Sequence, residues 1–219
     1  MQTPSPLSAL REWLRAQNLD GIIVPRADAF QSEYCAPHDD QLAWLTGFDG
    51  SAGHALILQD RALMFVDGRY QVQVREQVDL DAFEILHLHN DPLAPWLREN
   101  LRPGARIAFE AMLMTPAQYD ALRASQCTLV PLNDSPFDDI WHDRPPAPVG
   151  AIREMPHEYN GENSADKRQR VAALLDAHNA DYLAITQPDN IAWLLNVRGS
   201  DIPTSPVPNS FALLGRDGR

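Results

Sequence analysis

The chain has 219 residues, of which 44% are hydrophobic and 22% charged, as is typical of a globular protein rather than a disordered one. Its 18 basic and 30 acidic residues give a net charge of -12, which disfavours a nucleic-acid backbone or an anionic membrane surface as partner. No apolar run approaches the roughly 20 residues of a membrane span, and the N-terminus lacks the pattern of a secretion signal, so we expect a cytoplasmic protein.

Strands and helices alternate along the first two thirds of the chain. Ser5 and Pro6 begin the first helix, since Ser accepts free N–H groups there and Pro needs none. The predicted strands are 21–24, 55–58, 62–66, 83–88, 105–109 and 127–132. The predicted helices between them include 41–45, 70–78, one from Asp91 to Leu101, and one opened by a capping box at Thr115 and Gln118. The alternation predicts an α/β domain over residues 1–144, with a mixed sheet flanked by helices.

A proline-rich segment, 145–156, predicts a linker, and residues 157–219 then predict only part of a second domain of the same type. Its elements are a helix capped by Ser164 with Val171, Leu174, Leu175 and His178 inward, strands 181–186 and 210–214, and a helix from Pro188 to near Gly199. Two strands are fewer than the roughly three that an independent sheet needs. We therefore expect the front part of a longer protein, cut within its second domain.

Possible metal ligands are densest at Cys35, His38, Asp39 and Asp40. Zinc requires three or four converging ligands, and no second half of such a site follows, so a polar loop that caps the helix at Gln41 is favoured. Cys127 is the second cysteine, and without an export signal both are expected to be reduced thiols.

His87 and His89 are predicted on one face of a strand, where two histidines can chelate a metal. No third ligand is close in sequence, so ordinary, partly exposed histidines are favoured over a metal site.

The glycines at 47, 50 and 53 superficially suggest a phosphate-binding loop. Such loops lead into a helix N-terminus, whereas this segment leads into a strand and contains no Lys. A turn that requires positive φ or a close backbone approach is favoured instead.

The segment Asp67-Gly68-Arg69-Tyr70 follows a predicted strand directly. Gly68 permits a tight turn that projects Arg69 at the edge of the sheet, and an arginine offers a fixed fork for a carboxylate. Spacing alone favours a surface ion pair for Arg69. The sequence contains no complete catalytic set, neither a nucleophile with its base nor a full metal pattern.

Four strings occur in order and at characteristic spacing: SEYCAPHDDQLAWLTGFDGSAG, FVDGRY, IWHDRPP and DNIAWLLNVRGSDIPTSPVPNSFALLG. With them, nearly the whole chain resembles the N-terminal part of three-domain Xaa-Pro aminopeptidases (aminopeptidase P), of the creatinase and methionine-aminopeptidase superfamily. The resemblance implies two creatinase-like α/β domains followed by a pita-bread catalytic domain that is absent from this sequence.

What the resemblance implies about chemistry concerns mainly that absent domain. Such enzymes remove the residue before a proline, using two divalent ions, commonly manganese, held by Asp, Asp, His, Glu and Glu. None of these ligands maps onto this sequence, so the segment alone is expected to be inactive. It would shape the substrate cleft and support a homodimer. The arginine of the DGRY motif, here Arg69, would bind the peptide substrate, with Asp67 and Tyr70 orienting it.

Two other functions stay open. One is a non-catalytic module, like the creatinase-type domains of some histone chaperones, which bind peptides without hydrolysis. The other is a metal-binding protein that uses Cys35, His38 and Asp39.

Overall fold

The computed structural model of the protein describes residues 5–219, which form two compact units. The first unit comprises the described residues up to Arg26 and the range Asp40–Pro145. The second comprises Ala27–Asp39 and Pro146–Arg219. The domain limits expected from the sequence stay a prediction.

The first unit alternates strands and helices along the chain, as the sequence predicts. Its strands are β1 (Gly21–Pro25), β2 (His54–Leu58), β3 (Ala62–Val66), β4 (Glu84–His87), β5 (Arg106–Glu110) and β6 (Thr128–Leu132). Its α-helices are α1 (Pro6–Ala16), α2 (Gln41–Thr46), α3 (Gln73–Gln77), α4 (Leu93–Asn100), α5 (Pro116–Leu122) and α6 (Pro136–Ile140). Short 3-10 turns occupy Gly68–Tyr70, Ala111–Leu113 and Arg123–Ser125. The helix predicted over 70–78 is therefore shorter, and a 3-10 turn precedes it.

The six strands form one mixed sheet in the order β4-β3-β2-β1-β5-β6. The β1–β2 and β2–β3 pairs are antiparallel, whereas β3–β4, β1–β5 and β5–β6 are parallel. Ile22, Ile23 and Val24 of the central β1 are all buried, as expected for a strand covered on both faces. The mixed sheet predicted from the sequence is confirmed.

Side chains that alternate along the strands build a separate apolar core on each face of this sheet. On one face, Ile22 and Ile57 pack in a cluster with helix residues that include Leu10, Leu42 and Phe137. On the other face, Ile23 and Leu56 pack in a cluster with Leu97 of α4 and Leu122 of α5. Helices therefore flank both sides, as the sequence predicts.

The glycine-rich turn between α2 and β2 owes its shape to steric requirements. Gly47 has φ +82 and Gly53 has φ +155, a backbone region that side-chain-bearing residues rarely adopt. A Cβ on Gly50 would lie 2.2 Å from Cζ of the fully buried Phe48. Steric need, rather than phosphate binding, thus explains the three glycines.

We expect Gly50→Ala to lower the free energy of unfolding by about 2 kcal/mol, since the new methyl group would overpack the Phe48 ring. Gly68→Ala is the matched control, because a Cβ there meets only His87 Nε2 at 3.8 Å. Urea unfolding of both variants measures the difference. Equal stabilities would show that the close approach at Gly50 is not required.

The second unit combines short strands with three helices among the described residues. Its helices are α7 (His157–Asn160), α8 (Ser164–Ala177) and α9 (Pro188–Leu195), with a 3-10 turn at Pro37–Asp39. Its strands are β7 (Arg153–Glu154), β8 (Tyr182–Ile185), β9 (Val197–Arg198) and β10 (Ala212–Gly215). The β8–β10 and β7–β9 pairs are antiparallel. In the Ala27–Asp39 segment, the ring of Phe30 lies 4.7 Å from that of Phe211.

Three local predictions for this unit were wrong. Asn163, not Ser164, caps α8, because its Oδ1 accepts a hydrogen bond from the Asp166 amide at 2.9 Å. Leu174 is 58% exposed, whereas Lys167 is only 3% exposed. Helix α9 ends at Leu195, with Asn196 as its left-handed C-cap, rather than near Gly199.

The contacts of Lys167 explain why the buried face of α8 differs from the predicted one. Its Nζ donates to the backbone oxygen of Trp193 at 3.0 Å and to Asn196 Oδ1 at 2.6 Å. The ammonium therefore satisfies the C-terminal end of α9, where a positive charge is favourable. Periodicity of apolar residues cannot reveal a buried lysine of this kind.

No helix formed by residues 5–219 is long and apolar enough to cross a membrane.

Candidate arginine site

The turn that carries Arg69 is shaped by Asp67. Strand β3 ends at Val66, and Asp67 then caps the 3-10 turn by accepting a hydrogen bond from the Arg69 amide at 2.8 Å. The predicted tight turn is therefore present, although Gly68 has no positive φ and has space for a Cβ, so the turn does not require a glycine.

The Asp67 carboxylate also holds the guanidinium of Arg69. Arg69 Nε donates to Oδ2 at 3.1 Å and Nη2 donates to the same oxygen at 2.8 Å, while the Arg69 side chain is 63% exposed. These bonds lower the pKa of Asp67, so the carboxylate stays ionised at neutral pH. The arginine is thus fixed in direction yet accessible.

Tyr70 connects this turn to the glycine-rich turn. Its hydroxyl lies 2.8 Å from Ser51 Oγ and accepts from the Ser51 amide at 3.2 Å, and its ring meets Phe48 edge-on at 5.4 Å. The Arg69 guanidinium carbon lies 5.1 Å from the Tyr70 ring centre. Ser51 and Phe48 are supporting residues that sequence reasoning missed, since no local pattern links positions about 20 residues apart.

The arrangement is suited to binding rather than to bond cleavage. A guanidinium held along one edge by a carboxylate can present hydrogen-bond donors to a carbonyl or carboxylate group. In the structure, Asp67 and Tyr70 both contact the Arg69 guanidinium. Their role toward a substrate stays a prediction.

The possible metal ligands of the sequence do not form a metal site. Across residues 5–219, no group of three or more His, Cys, Asp or Glu side chains is placed to hold a metal ion. Cys35 and Cys127 form no disulfide. The described residues therefore do not fit the two divalent ions that the resemblance implies.

Asp40 is the N-cap residue of α2, at the position that the sequence predicts, and its carboxylate also lies 3.1 Å from the largely buried Arg26 guanidinium. Burial raises the pKa of Asp40, with the nearby Arg26 charge opposing that shift. Asp40 thus forms a structural ion pair with Arg26.

His87 and His89 do not share a strand face, because β4 ends at His87. The His89 amide donates to His87 Nδ1 at 3.2 Å, which uses that nitrogen as an acceptor within the turn. The sequence left two interpretations, a metal-chelating pair and ordinary histidines, and this geometry agrees with the second.

His54 is a further histidine of the first unit, which the sequence analysis did not single out. Its ring stacks on Phe65 at 4.7 Å, and its Nε2 is buried with no hydrogen-bond partner among the described residues. Burial lowers the pKa of His54 from 6.5 to about 4, so the ring is neutral at physiological pH.

This burial makes stability depend on pH. Unfolded His54 takes up a proton near pH 6.5, whereas folded His54 does so only near pH 4, so stability falls as the pH is lowered between these values. From pH 7 to pH 5, we expect the wild type to lose about 2 kcal/mol more than His54→Phe. Urea unfolding of both proteins at each pH measures this. Identical pH dependences would contradict a His54 ring that is kept neutral in the folded protein.

The fold and the arginine turn define an α/β region whose described residues include no group of three or more possible metal ligands. Two family profiles described as Creatinase/Prolidase N-terminal domain match the chain, one over residues 6–136 and one over 143–219. The chain therefore belongs to the Creatinase/Prolidase N-terminal domain family.

Curated relatives bear aminopeptidase names. The chain is 36% identical over 229 residues to the Xaa-Pro aminopeptidase ApepP of Drosophila melanogaster, covering 98% of this chain and 37% of that protein. It is 34% identical over 215 residues to aminopeptidase P1 of Lotus japonicus, covering 95% and 32%. It is 33% identical over 221 residues to human Xaa-Pro aminopeptidase 2, covering 98% and 33%. The chain thus spans about a third of the length of these relatives.

Among solved structures, the chain resembles an X-prolyl aminopeptidase from Caenorhabditis elegans, described as a cytosolic enzyme with a di-nuclear active site. The TM-score is 0.89 at 27% identity, and the match covers 98% of this chain and 38% of that one.

Proposed function

We propose that these residues are the N-terminal, non-catalytic region of a metal-dependent Xaa-Pro aminopeptidase. The enzyme would remove the first residue of peptides whose second residue is proline. The observation that carries the proposal is the match to the Caenorhabditis elegans enzyme along 98% of the chain at a TM-score of 0.89. Relatives bearing Xaa-Pro aminopeptidase names support it.

The region would contribute shape rather than chemistry. It comprises a first domain (1–144), a linker (145–156) and part of a second domain (157–219), which together help to form the substrate cleft and a homodimer. The two divalent ions, expected to be manganese, belong to the catalytic portion and would activate the attacking water there. The enzyme would act in the cytoplasm, in line with the description of the Caenorhabditis elegans protein.

Arg69 is the residue through which this region would touch the peptide. The support is its exposure of 63% together with the rigid hold of Asp67 on its guanidinium. A donor oriented before binding loses less conformational entropy when the substrate arrives. Asp67 and Tyr70 would be positioning residues.

The test is to express the complete gene product and measure release of the first residue from an Xaa-Pro peptide with Mn²⁺. A matched Xaa-Ala peptide is the control substrate. We expect turnover of the proline peptide only, and none by residues 1–219 alone. No turnover by the complete protein, or a downstream sequence without the five metal ligands, would support the non-catalytic peptide-binding module instead.

A further inference from the structure

A small cavity of about 290 Å³ lies in the first unit, at the edge of the sheet where β1 and β5 begin. The turn after α1 and the link between β2 and β3 border it. Three arginines line this cavity, Arg15, Arg102 and Arg106, whereas Asp20 is the single carboxylate among its described lining residues. In a chain whose net charge is -12, the cavity therefore carries a local excess of positive charge.

The turn after α1 orients two of these arginines. The Asp20 carboxylate oxygens accept from Arg102 Nη2 at 3.1 and 3.0 Å, and Oδ2 also accepts from the Arg106 amide at 2.7 Å. Arg106 Nε donates to the backbone oxygen of Asn18 at 3.1 Å. Each guanidinium is thus held through one nitrogen, and its other nitrogens form no hydrogen bond with any of residues 5–219.

The remaining donors are accessible from solvent. The Arg102 side chain is 68% exposed, and Arg15 and Arg106 are exposed as well. The guanidinium of Arg15 makes no hydrogen bond or ion pair with the part of the chain that the structure describes. Asp20 offsets one of the three positive charges, so two remain that no carboxylate of the described lining balances. Like charges held together in this way repel each other, and a bound anion would relieve that repulsion.

We propose that this cavity binds a small anion of the phosphate class that carries two negative charges, with its oxygens hydrogen-bonded to Arg15, Arg102 and Arg106. The proposal is independent of the peptidase function.

The number and shape of the donors select this class of ligand. A guanidinium presents its N–H groups in a planar fork that matches the oxygens of a carboxylate or a phosphate. Three such forks offer more donors than the two oxygens of one carboxylate can accept, whereas the oxygens of a phosphate group point in several directions. The volume is just below the range of about 300–1,000 Å³ that is usual for drug-sized ligands, which agrees with a small anion.

The test uses inorganic phosphate at pH 8, where it is mainly a dianion, titrated into the whole chain at low ionic strength and followed by amide NMR. We expect saturable binding with a dissociation constant of about 1 mM or tighter, and shifts centred on Asn18, Asp20 and Arg106. Malonate, also a dianion, is the charge-matched control and should bind about fivefold more weakly. Glycerol 3-phosphate is titrated in parallel. Tighter binding than that of inorganic phosphate would identify a phosphate ester as the ligand, and weaker binding the free anion.

Variants connect the binding to the cavity. Arg15→Gln and Arg106→Gln should each weaken phosphate binding about fivefold. Arg15→Gln keeps the test usable if Arg106→Gln folds poorly, because the Arg15 side chain supports no other described residue. Arg75→Gln is the matched control and should leave the affinity unchanged, since Arg75 is also exposed but does not line the cavity.

Three results would overturn the proposal. The first is the absence of saturable phosphate binding. The second is an equal loss of affinity in Arg75→Gln and Arg15→Gln, which would show a general attraction to surface arginines. The third is malonate binding as tight as that of phosphate, which would assign the cavity to a dicarboxylate.

Discussion

Arg69→Ala in the complete protein is expected to lower kcat/KM for an Xaa-Pro peptide on the order of 100-fold. The reason is that the variant would lose the proposed charge-assisted hydrogen bond to the bound peptide, a contact worth up to about 3 kcal/mol. Most of the loss should appear in KM if the arginine holds the peptide equally in the bound and transition states. Steady-state kinetics over a range of peptide concentrations separates the two parameters.

Arg61→Ala is the matched control for this experiment. Arg61 also forms a forked pair with a carboxylate, since its Nε and Nη2 each lie 2.9 Å from an oxygen of Glu84. It also lies over an aromatic ring, that of Trp96, at 5.0 Å. If Arg69→Ala and Arg61→Ala both left kcat and KM unchanged, Arg69 would be an ordinary surface ion pair, as its spacing alone suggests.

Phe48→Ala is expected to reduce the free energy of unfolding by about 4 kcal/mol, since it removes a fully buried aromatic side chain and leaves a cavity. Phe48 also supports the arginine turn, because its ring meets Tyr70 at 5.4 Å. Urea unfolding at constant pH measures the loss. If the complete protein with Phe48→Ala still folds, we also expect its KM for the Xaa-Pro peptide to exceed that of the wild type.

Two further variants serve as controls for Phe48→Ala. Phe48→Leu retains most of the apolar volume and should cost less than half as much. Met112→Ala truncates a large apolar side chain that is 61% exposed and should change stability by about 0.5 kcal/mol or less. A loss at Phe48 no larger than at Met112 would contradict its place in the core.

Much of the first unit could be predicted from local patterns. Apolar runs such as Gly21–Pro25 and Ala62–Val66 are strands, because a short run of buried, mainly branched or large side chains fits a sheet covered on both faces. The cap at Ser5 and the capping box at Thr115 form as expected, since these interactions join residues only three positions apart. The positions of Asp67, Arg69 and Tyr70 at the end of β3 follow from the same local order.

What surrounds those residues was decided by tertiary structure. The Tyr70 hydroxyl pairs with Ser51, 19 positions away, and Asp40, at the start of α2, pairs with Arg26. Lys167 is buried because the end of α9 offers it two oxygens. In each case a polar group found its partner on another element.

The sequence by itself thus determined the element types, the helix caps and the glycine-rich turn, because each depends on neighbours within a few residues; the mixed sheet followed from the alternation of strands and helices along the chain. Only the tertiary structure decided which polar side chains are buried and what they bind, as in the burial of Lys167 at the end of α9. The physical reason is that desolvation and hydrogen-bond pairing depend on distances between segments remote along the chain, which no local pattern contains.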